Sequence, residues 1–523
     1  MYDNVLQVVT EPTPYDGGLI AISSYGIVGT NAHAVLEPGP ITSEAPPVSE
    51  LPVIVPLAGR SEDQVAESLR EALEHAHNPE YAYLLQRAYH REIPGYPWRG
   101  FGMLKPGHSE PSITVESCST GGDRPVWVIF PGMGSQWNEM GTDLMKIQPF
   151  SESLRKSKET MKNLGLDLDA MLAPNNKTIF DDIHHAVMVI TAMQIALYDT
   201  LKALEIKPDG FLGHSTGEFL CAYADDCFSA EETILVTDAR GRAFKKAQKV
   251  KGAMASVGLS WDQVQARLPP DVQLACNNAA NNVTVSGVAE SVAKFVEELK
   301  AEGKFAVVVN SCGVAAHSVH VQDAADMLRE EIRQMLKGEE RVRSSKWIST
   351  SIREENWGLE LARCASPEYF DNNLRAPVLF YQGLQHVPAG SAVIEVSPKG
   401  FFQAILKETV PSDCVHFAPM TIKCENKLDY FFESVGKMYL AGLDMRIDQI
   451  YPAVRTPVSA NLPCISPLVK WDHERSWNKL VMAYPMVGIN YFCFFLCSTF
   501  SRHLFFTGFG KQNRRGSGKS VTQ

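Results

Sequence analysis

Gly213-His214-Ser215-Thr216-Gly217 sets a serine in a Gly-x-Ser-x-Gly frame directly after the apolar run Gly210–Leu212. A sharp strand-to-helix turn of this kind lifts a hydroxyl clear of its neighbours, because the glycines leave no side chains in the way. The following helix aims its first N–H groups where negative charge develops when a serine attacks a carbonyl. That chemistry is acyl transfer or hydrolysis, and it needs a base. The downstream histidines are His317, His320, His386 and His416. His317 follows a compact inserted segment and therefore stands at the edge between two units, where clefts form. By spacing alone, each of the four is equally a candidate core or surface histidine.

Two further segments carry chemistry. Arg240 lies on a helix opened by a capping box, Ser229 with Glu232, and buried through Ile234, Leu235 and Val236. Turned inward, such an arginine grips a carboxylate with two parallel hydrogen bonds; turned outward, Arg240-Gly241-Arg242 is a solvated helix face. Gly132-Met133-Gly134-Ser135-Gln136 ends the apolar run Val126–Phe130. Its backbone N–H groups offer a second oxyanion donor, or simply the turn that any buried strand requires.

These residues need a frame. Apolar runs at Val126–Phe130 and Gly210–Leu212, separated by helical stretches, predict a parallel sheet covered by helices on both faces. Between them and the helical Val321–Leu336 the order changes. Strand 254–259, helix 260–268, strands 272–276 and 283–286, helix 290–302 and strand 305–310 read βαββαβ, a ferredoxin-like arrangement. The expected architecture is an α/β-hydrolase-like parallel-sheet domain with an inserted ferredoxin-like subdomain. A small α+β unit precedes it, with strand Val53–Leu57 and a helix from Ser61 to about His75, capped by Ser61 and Gln64.

Composition narrows the setting. The 523 residues allow about three domains. At 45% apolar and 21% charged, the chain has enough apolar side chains for a large core. A net charge of −11 argues against nucleic acid as the main partner. The eleven cysteines form no CxxC pair and no metal-ligand spacing, which fits reduced thiols in the cytoplasm. Met1–Pro12 lacks the features of a secretory signal. From Leu480 to Ser501 no charge occurs, a length sufficient for a membrane span, although Pro485 and Asn490 interrupt it. Membrane contact and a tail foreign to the fold are the two readings of this segment.

Taken together, the segments resemble the acyltransferase domain of animal fatty acid synthases and type I polyketide synthases. PGMGSQW is similar to that family's GMG-x-Q-W motif and GHSTGE to its GHS-x-G-E nucleophile motif. Arg240, twenty-five residues after Ser215, falls where the family has its carboxylate-binding arginine, and His317 in GVAAHS where it has its general base. SSYGIVGTNAH resembles the end of a ketosynthase, with His33 as that domain's last catalytic histidine. ISPLVKWDH resembles the linker after the acyltransferase.

The resemblance, closest to the animal fatty acid synthase type, implies the following organisation. Residues 1–40 are a ketosynthase remnant, 41–121 a linker domain and 122–445 the acyltransferase, with its subdomain at 250–318. Residues 446–480 form the post-acyltransferase linker and 481–523 a divergent tail. It implies malonyl and acetyl transfer from coenzyme A to the phosphopantetheine thiol of an acyl carrier protein. Ser215 and His317 are then catalytic, and Arg240 binds the carboxylate. The amides of Met133 and Thr216 hold the oxyanion, and Gly132, Gly134, Gln136, Gly213, His214 and Gly217 support the motifs. A backbone carbonyl from the Asn372-Asn373 region would orient the histidine. No metal or tightly bound cofactor is implied, and the partners are a carrier protein and a ketosynthase.

The departures sharpen the expectation. Val28 replaces a glycine and the ketosynthase nucleophile is missing, so no condensation is expected. Ala316 stands where malonyl-selective relatives carry phenylalanine, which opens room for methylmalonyl unless a bulky neighbour such as Phe219 compensates. Two rivals stay open: a serine esterase or thioesterase, and a noncatalytic synthase fragment.

Overall fold

The computed structural model describes residues 17–37 and 50–470, with gaps at 27–28, 30, 109, 119–123, 175, 177, 249–250 and 460–461. The apolar and basic tail 481–523 lies outside the described residues.

An antiparallel hairpin, β1 (Ile20–Tyr25) and β2 (Asn31–Leu36), comes first, and its described side chains are all exposed. His33 sits on β2, where its Nδ1 lies 2.8 Å from Ser23 Oγ on β1. The small α+β unit follows. Strands β3 (Val53–Gly59), β4 (Trp98–Leu104) and β5 (Ser112–Ser117) form an antiparallel sheet in the order β3-β4-β5. Its first helix runs Glu62–Leu73. Ser61 accepts from the Gln64 amide as expected, but Gln64 Oε1 accepts from the amide of Arg60 rather than Ser61.

The large unit begins with β6 (Val126–Phe130), buried along its whole length, and β7 (Gly210–Gly213). Between them the 21-residue helix Ile183–Ala203 lies in the core. Among the described residues it is the one helix long and apolar enough to cross a membrane, and it is so apolar because protein covers nearly its entire surface.

The inserted segment forms β8 (Gly252–Val257), β9 (Val272–Ala279), β10 (Asn282–Val288) and β11 (Ala306–Val309), with helices Trp261–Gln265 and Ala289–Ala301. The sheet order is β11-β8-β10-β9, antiparallel throughout, which is the ferredoxin-like topology expected from the sequence. The first strand starts two residues earlier than its hydrophobicity suggests. The Gly252 amide already bonds to the Gly313 carbonyl, a partner no local pattern reveals.

The chain then returns through β12 (Trp347–Ile348), β13 (Ala392–Glu395) and β14 (Val415–Phe417). These complete a five-stranded parallel sheet in the order β12-β7-β6-β13-β14. The carboxyl ends of its central strands β6 and β7 carry the two glycine turns singled out above.

Candidate active site

The turn after β7 is held open by two glycines for steric reasons. A Cβ on Gly217 would lie 1.8 Å from the Phe130 carbonyl oxygen, and one on Gly213 would lie 2.5 Å from the Glu218 amide. Between them Ser215 sits at φ +56°, in the left-handed region, at the mouth of the helix Gly217–Ala224. A non-glycine residue held there stores of order 1–3 kcal/mol of strain, which the surrounding structure must hold in place. Beneath the turn, Glu218 is fully buried. Its carboxylate accepts from the Thr350 amide and hydroxyl, both at 3.0 Å, and from Tyr369, which tie the elbow to the rest of the sheet. Burial raises its pKa.

His317 also has positive φ, at +58°. Its Nε2 lies 2.7 Å from Ser215 Oγ and its Nδ1 2.9 Å from the Ala376 carbonyl. A carbonyl only accepts, so Nδ1 carries the proton and Nε2 is left to accept from the serine hydroxyl. Burial, reinforced by the nearby Arg240 charge, pushes the imidazole pKa down to about 3. The ring is therefore neutral at physiological pH, as a base must be. The Ala376 carbonyl orients the ring, and the backbone of Asn373, in the region expected, also bonds to it. The helix Pro367–Arg375 ends one residue earlier, and the carbonyl beyond its last turn is free to point sideways.

The other three histidines are engaged elsewhere. His320 Nε2 is 3.4 Å from the Asp271 carbonyl, His386 pairs with Glu354, and His416 faces Glu395. His214, next to the serine, bonds to Asn278 and packs on Phe380 and Phe402, and burial there lowers its pKa to about 4.

The second glycine turn abuts the first. A Cβ on Gly132 would lie 2.8 Å from the His214 carbonyl and 3.4 Å from Ser215 Cβ. Gln136 Oε1 accepts from the Gly134 amide, and Gln194 Nε2 donates to the Pro131 and Val396 carbonyls, so the turn is pinned at both ends. Among the described residues, the amides of Met133 and Thr216 have no intramolecular acceptor.

Arg240 is fully buried on the helix Ala230–Ala247. It lies against the rings of Phe244 and Phe219, 4.8 and 5.8 Å from their centroids. Its Nη1 donates to Asn373 Oδ1 at 3.1 Å, while Nε and Nη2 have no partner among the described residues. Burial draws its pKa down to about 9, so it still carries its charge at neutral pH. The solvated-face alternative is thereby removed. Asn373, whose side chain the sequence did not mark out, also donates to the Ser215 carbonyl at 3.1 Å and to Ser351 Oγ at 2.9 Å. Ala316 is buried beside His317 in the main core, and Phe219 packs on Phe370 beneath Arg240.

An α/β sheet with a ferredoxin-like insert thus carries a strained serine bonded to a neutral histidine. Residues 126–444, more than half of the chain, match the acyl transferase domain family, and residues 1–103 match the ketoacyl-synthetase C-terminal extension. The chain belongs to the acyl transferase domain family.

Among its relatives is the highly reducing polyketide synthase sphB of Aspergillus fumigatus, 27% identical over 90% of this chain and 19% of the relative. Another is the squalestatin hexaketide synthase of a Phoma species, 26% identical over 91% and 19%. The chain thus spans about a fifth of the length of the curated relatives it matches. In fold it is similar to the acyl transferase domain of ZmaA (TM-score 0.65, 19% identity, 79% of this chain and 99% of that one). It is similar also to that of SpnD in complex with 2-(pent-4-yn-1-yl)malonyl (TM-score 0.63, 18% identity, 77% and 98%).

Proposed function

We propose that this chain transfers a carboxylated acyl group from coenzyme A to the phosphopantetheine thiol of an acyl carrier protein. The observation that carries this reading is the Ser215–His317 hydrogen bond beside a buried guanidinium with two unpartnered nitrogens. In this reading His317 Nε2 takes the Ser215 proton as the hydroxyl oxygen attacks the thioester carbon. The free amides of Met133 and Thr216 receive the oxyanion. The C–S bond breaks, coenzyme A leaves with the proton from His317, and an acyl-serine ester remains. The carrier thiol then gives its proton to His317 and attacks the ester; collapse returns the proton to Ser215. Arg240 pairs with the distal carboxylate and so orients the donor as well as selecting it. Hydrolysis by an esterase-type site would leave that buried cation without a purpose.

The motifs are shared by fatty acid and polyketide synthases. The relatives reported above are polyketide synthases, which favours that assignment over the animal fatty acid synthase type. Within it, residues 1–121 would dock on a ketosynthase. The acyl unit is malonyl or methylmalonyl: a small residue at Ala316 supports tolerance of an α-substituent, and the SpnD domain is in complex with a substituted malonyl group. Intact-mass measurement after brief incubation with each coenzyme A ester tests the proposal. An adduct lost in Ser215→Ala and passed on to a holo carrier protein supports it. A folded sample with no adduct refutes it, and an adduct that goes to water faster than to the carrier assigns a hydrolase.

A further inference from the structure

Asn373 is the one polar side chain bonded to Arg240 among the described residues, and it is an amide where a carboxylate of the same shape would pair the charge. Three of its four hydrogen-bonding directions are committed. Oδ1 accepts from Arg240 Nη1, and the two Nδ2 protons go to the Ser215 carbonyl and Ser351 Oγ. The network fixes which end of the amide faces the guanidinium, since the Ser215 carbonyl can only accept. Asn373 is 2% exposed and Arg240 is fully buried, with no carboxylate of the described residues pairing with it. A buried cation is normally matched by an anion, and this one is not.

We infer that Asn373 is a selectivity-setting positioning residue: it aims the Arg240 guanidinium, ties it to the Ser215 backbone, and by its neutrality leaves the positive charge free for the carboxylate of the incoming acyl group. This rests on the acyl-transfer reading of Ser215 and Arg240. The inference places the choice between charged and uncharged acyl groups in the arginine's partner as much as in the arginine. An aspartate at this position would supply an internal anion, occupy the guanidinium and repel a second carboxylate. An acetyl group, having no distal charge, would be spared that repulsion.

The test compares the 523-residue chain with its Asn373→Asp and Asn373→Ala variants. Rates of acyl-serine formation with malonyl-CoA and acetyl-CoA are read by intact mass, and folding is checked by circular dichroism. In Asn373→Asp the malonyl-to-acetyl rate ratio falls by roughly 100-fold, the range expected when a buried charge-assisted pairing is lost. In Asn373→Ala both rates fall, because the serine backbone loses a brace, and the ratio changes far less. A loss of orientation alone would lower both donors together in both variants and leave the ratio fixed; that result overturns the inference. A second readout needs no turnover. Malonate ions raise the melting temperature of the unmodified chain and not of Asn373→Asp. Equal malonate shifts in the two proteins also overturn the inference, even if no donor labels Ser215 and the acyl-transfer reading has failed on its own terms. If Asn373→Asp does not fold, Arg240→Lys with malonate in the melting assay takes its place. A point charge without the fork should lose most of the shift, and an undiminished shift would place the anion elsewhere.

Discussion

Ser215 and His317 are bonded to each other at 2.7 Å, and both are held at positive φ, +56° and +58°. Two non-glycine residues in the left-handed region, 102 positions apart in the chain, meet side chain to side chain. Each owes its conformation to a different element: Ser215 to the turn closing β7, His317 to the exit from the ferredoxin-like insert, where its amide bonds to the Leu374 carbonyl.

Removing the proposed base is the most direct test of that relationship. His317→Gln keeps a polar side chain of similar size but cannot cycle a proton. It is expected to slow acyl-serine formation by about 10²–10⁴-fold, the usual contribution of general-base catalysis. Single-turnover kinetics by intact mass, with an unchanged melting temperature, checks this. A loss below tenfold would mean that another group takes the proton.

The pH dependence follows from the depressed imidazole. Its folded-state pKa of about 3 lies below the unfolded value near 6.5, so above pH 6.5 both states are neutral there and no stability is lost. As pH falls from 6.5 towards 3 the unfolded chain binds a proton that the folded chain does not. Stability therefore declines by up to about 1.4 kcal/mol per pH unit from this group. His214, lowered to about 4, acts in the same direction. Acylation rates should stay flat from pH 8 to 5.5, while urea midpoints hold down to about pH 6.5 and drop below it, and that drop lessens in His317→Gln. An acylation rate that halves near pH 6.5 would contradict the assigned neutral base.

Steric demand at the elbow is severe enough to predict a folding defect. Gly217→Ala drives a methyl into the Phe130 carbonyl, so β6 or the helix behind it must move. Overpacking of this kind costs about 1–3 kcal/mol, and more when backbone is the obstacle. The variant should melt several degrees lower and form no acyl-serine. Full activity would mean that the turn relaxes without displacing Ser215.

Selectivity for the α-substituent turns on Ala316. If its small side chain admits methylmalonyl, Ala316→Phe should lower the methylmalonyl-to-malonyl rate ratio by roughly tenfold or more, since one methylene is worth about 1–3 kcal/mol of discrimination. Competition between the two donors, scored by adduct mass, measures the ratio directly. An unchanged ratio would assign the acyl α-carbon to another wall of the site.

Much of this arrangement could be read from local pattern. The Gly-x-Ser-x-Gly frame, the strand before it and the βαββαβ order of the insert are written in periodicity and turn residues, and each sits within a few positions of its expected place. Ser229 and Glu232 form the expected reciprocal cap, because a capping box involves residues only three apart. His317 was one of four candidates, and only the return of the chain past the insert brings its ring to Ser215. The role of the Asn373 side chain carried no signal. Its partners Arg240 and Ser215 lie 133 and 158 residues away, and nothing in its neighbourhood distinguishes it from the adjacent Asn372.

By itself, then, the amino-acid sequence determined the elements and the turn that presents Ser215, since turn sterics, capping and hydrophobic period act over a few residues. The tertiary structure decided which histidine bonds to the serine, that the Ala376 carbonyl joins the Asn373 backbone in holding it, and that Arg240 faces inward with its charge unpaired. Those outcomes depend on hydrogen bonds and burial between segments a hundred residues apart, which exist only once the parallel sheet has closed around them.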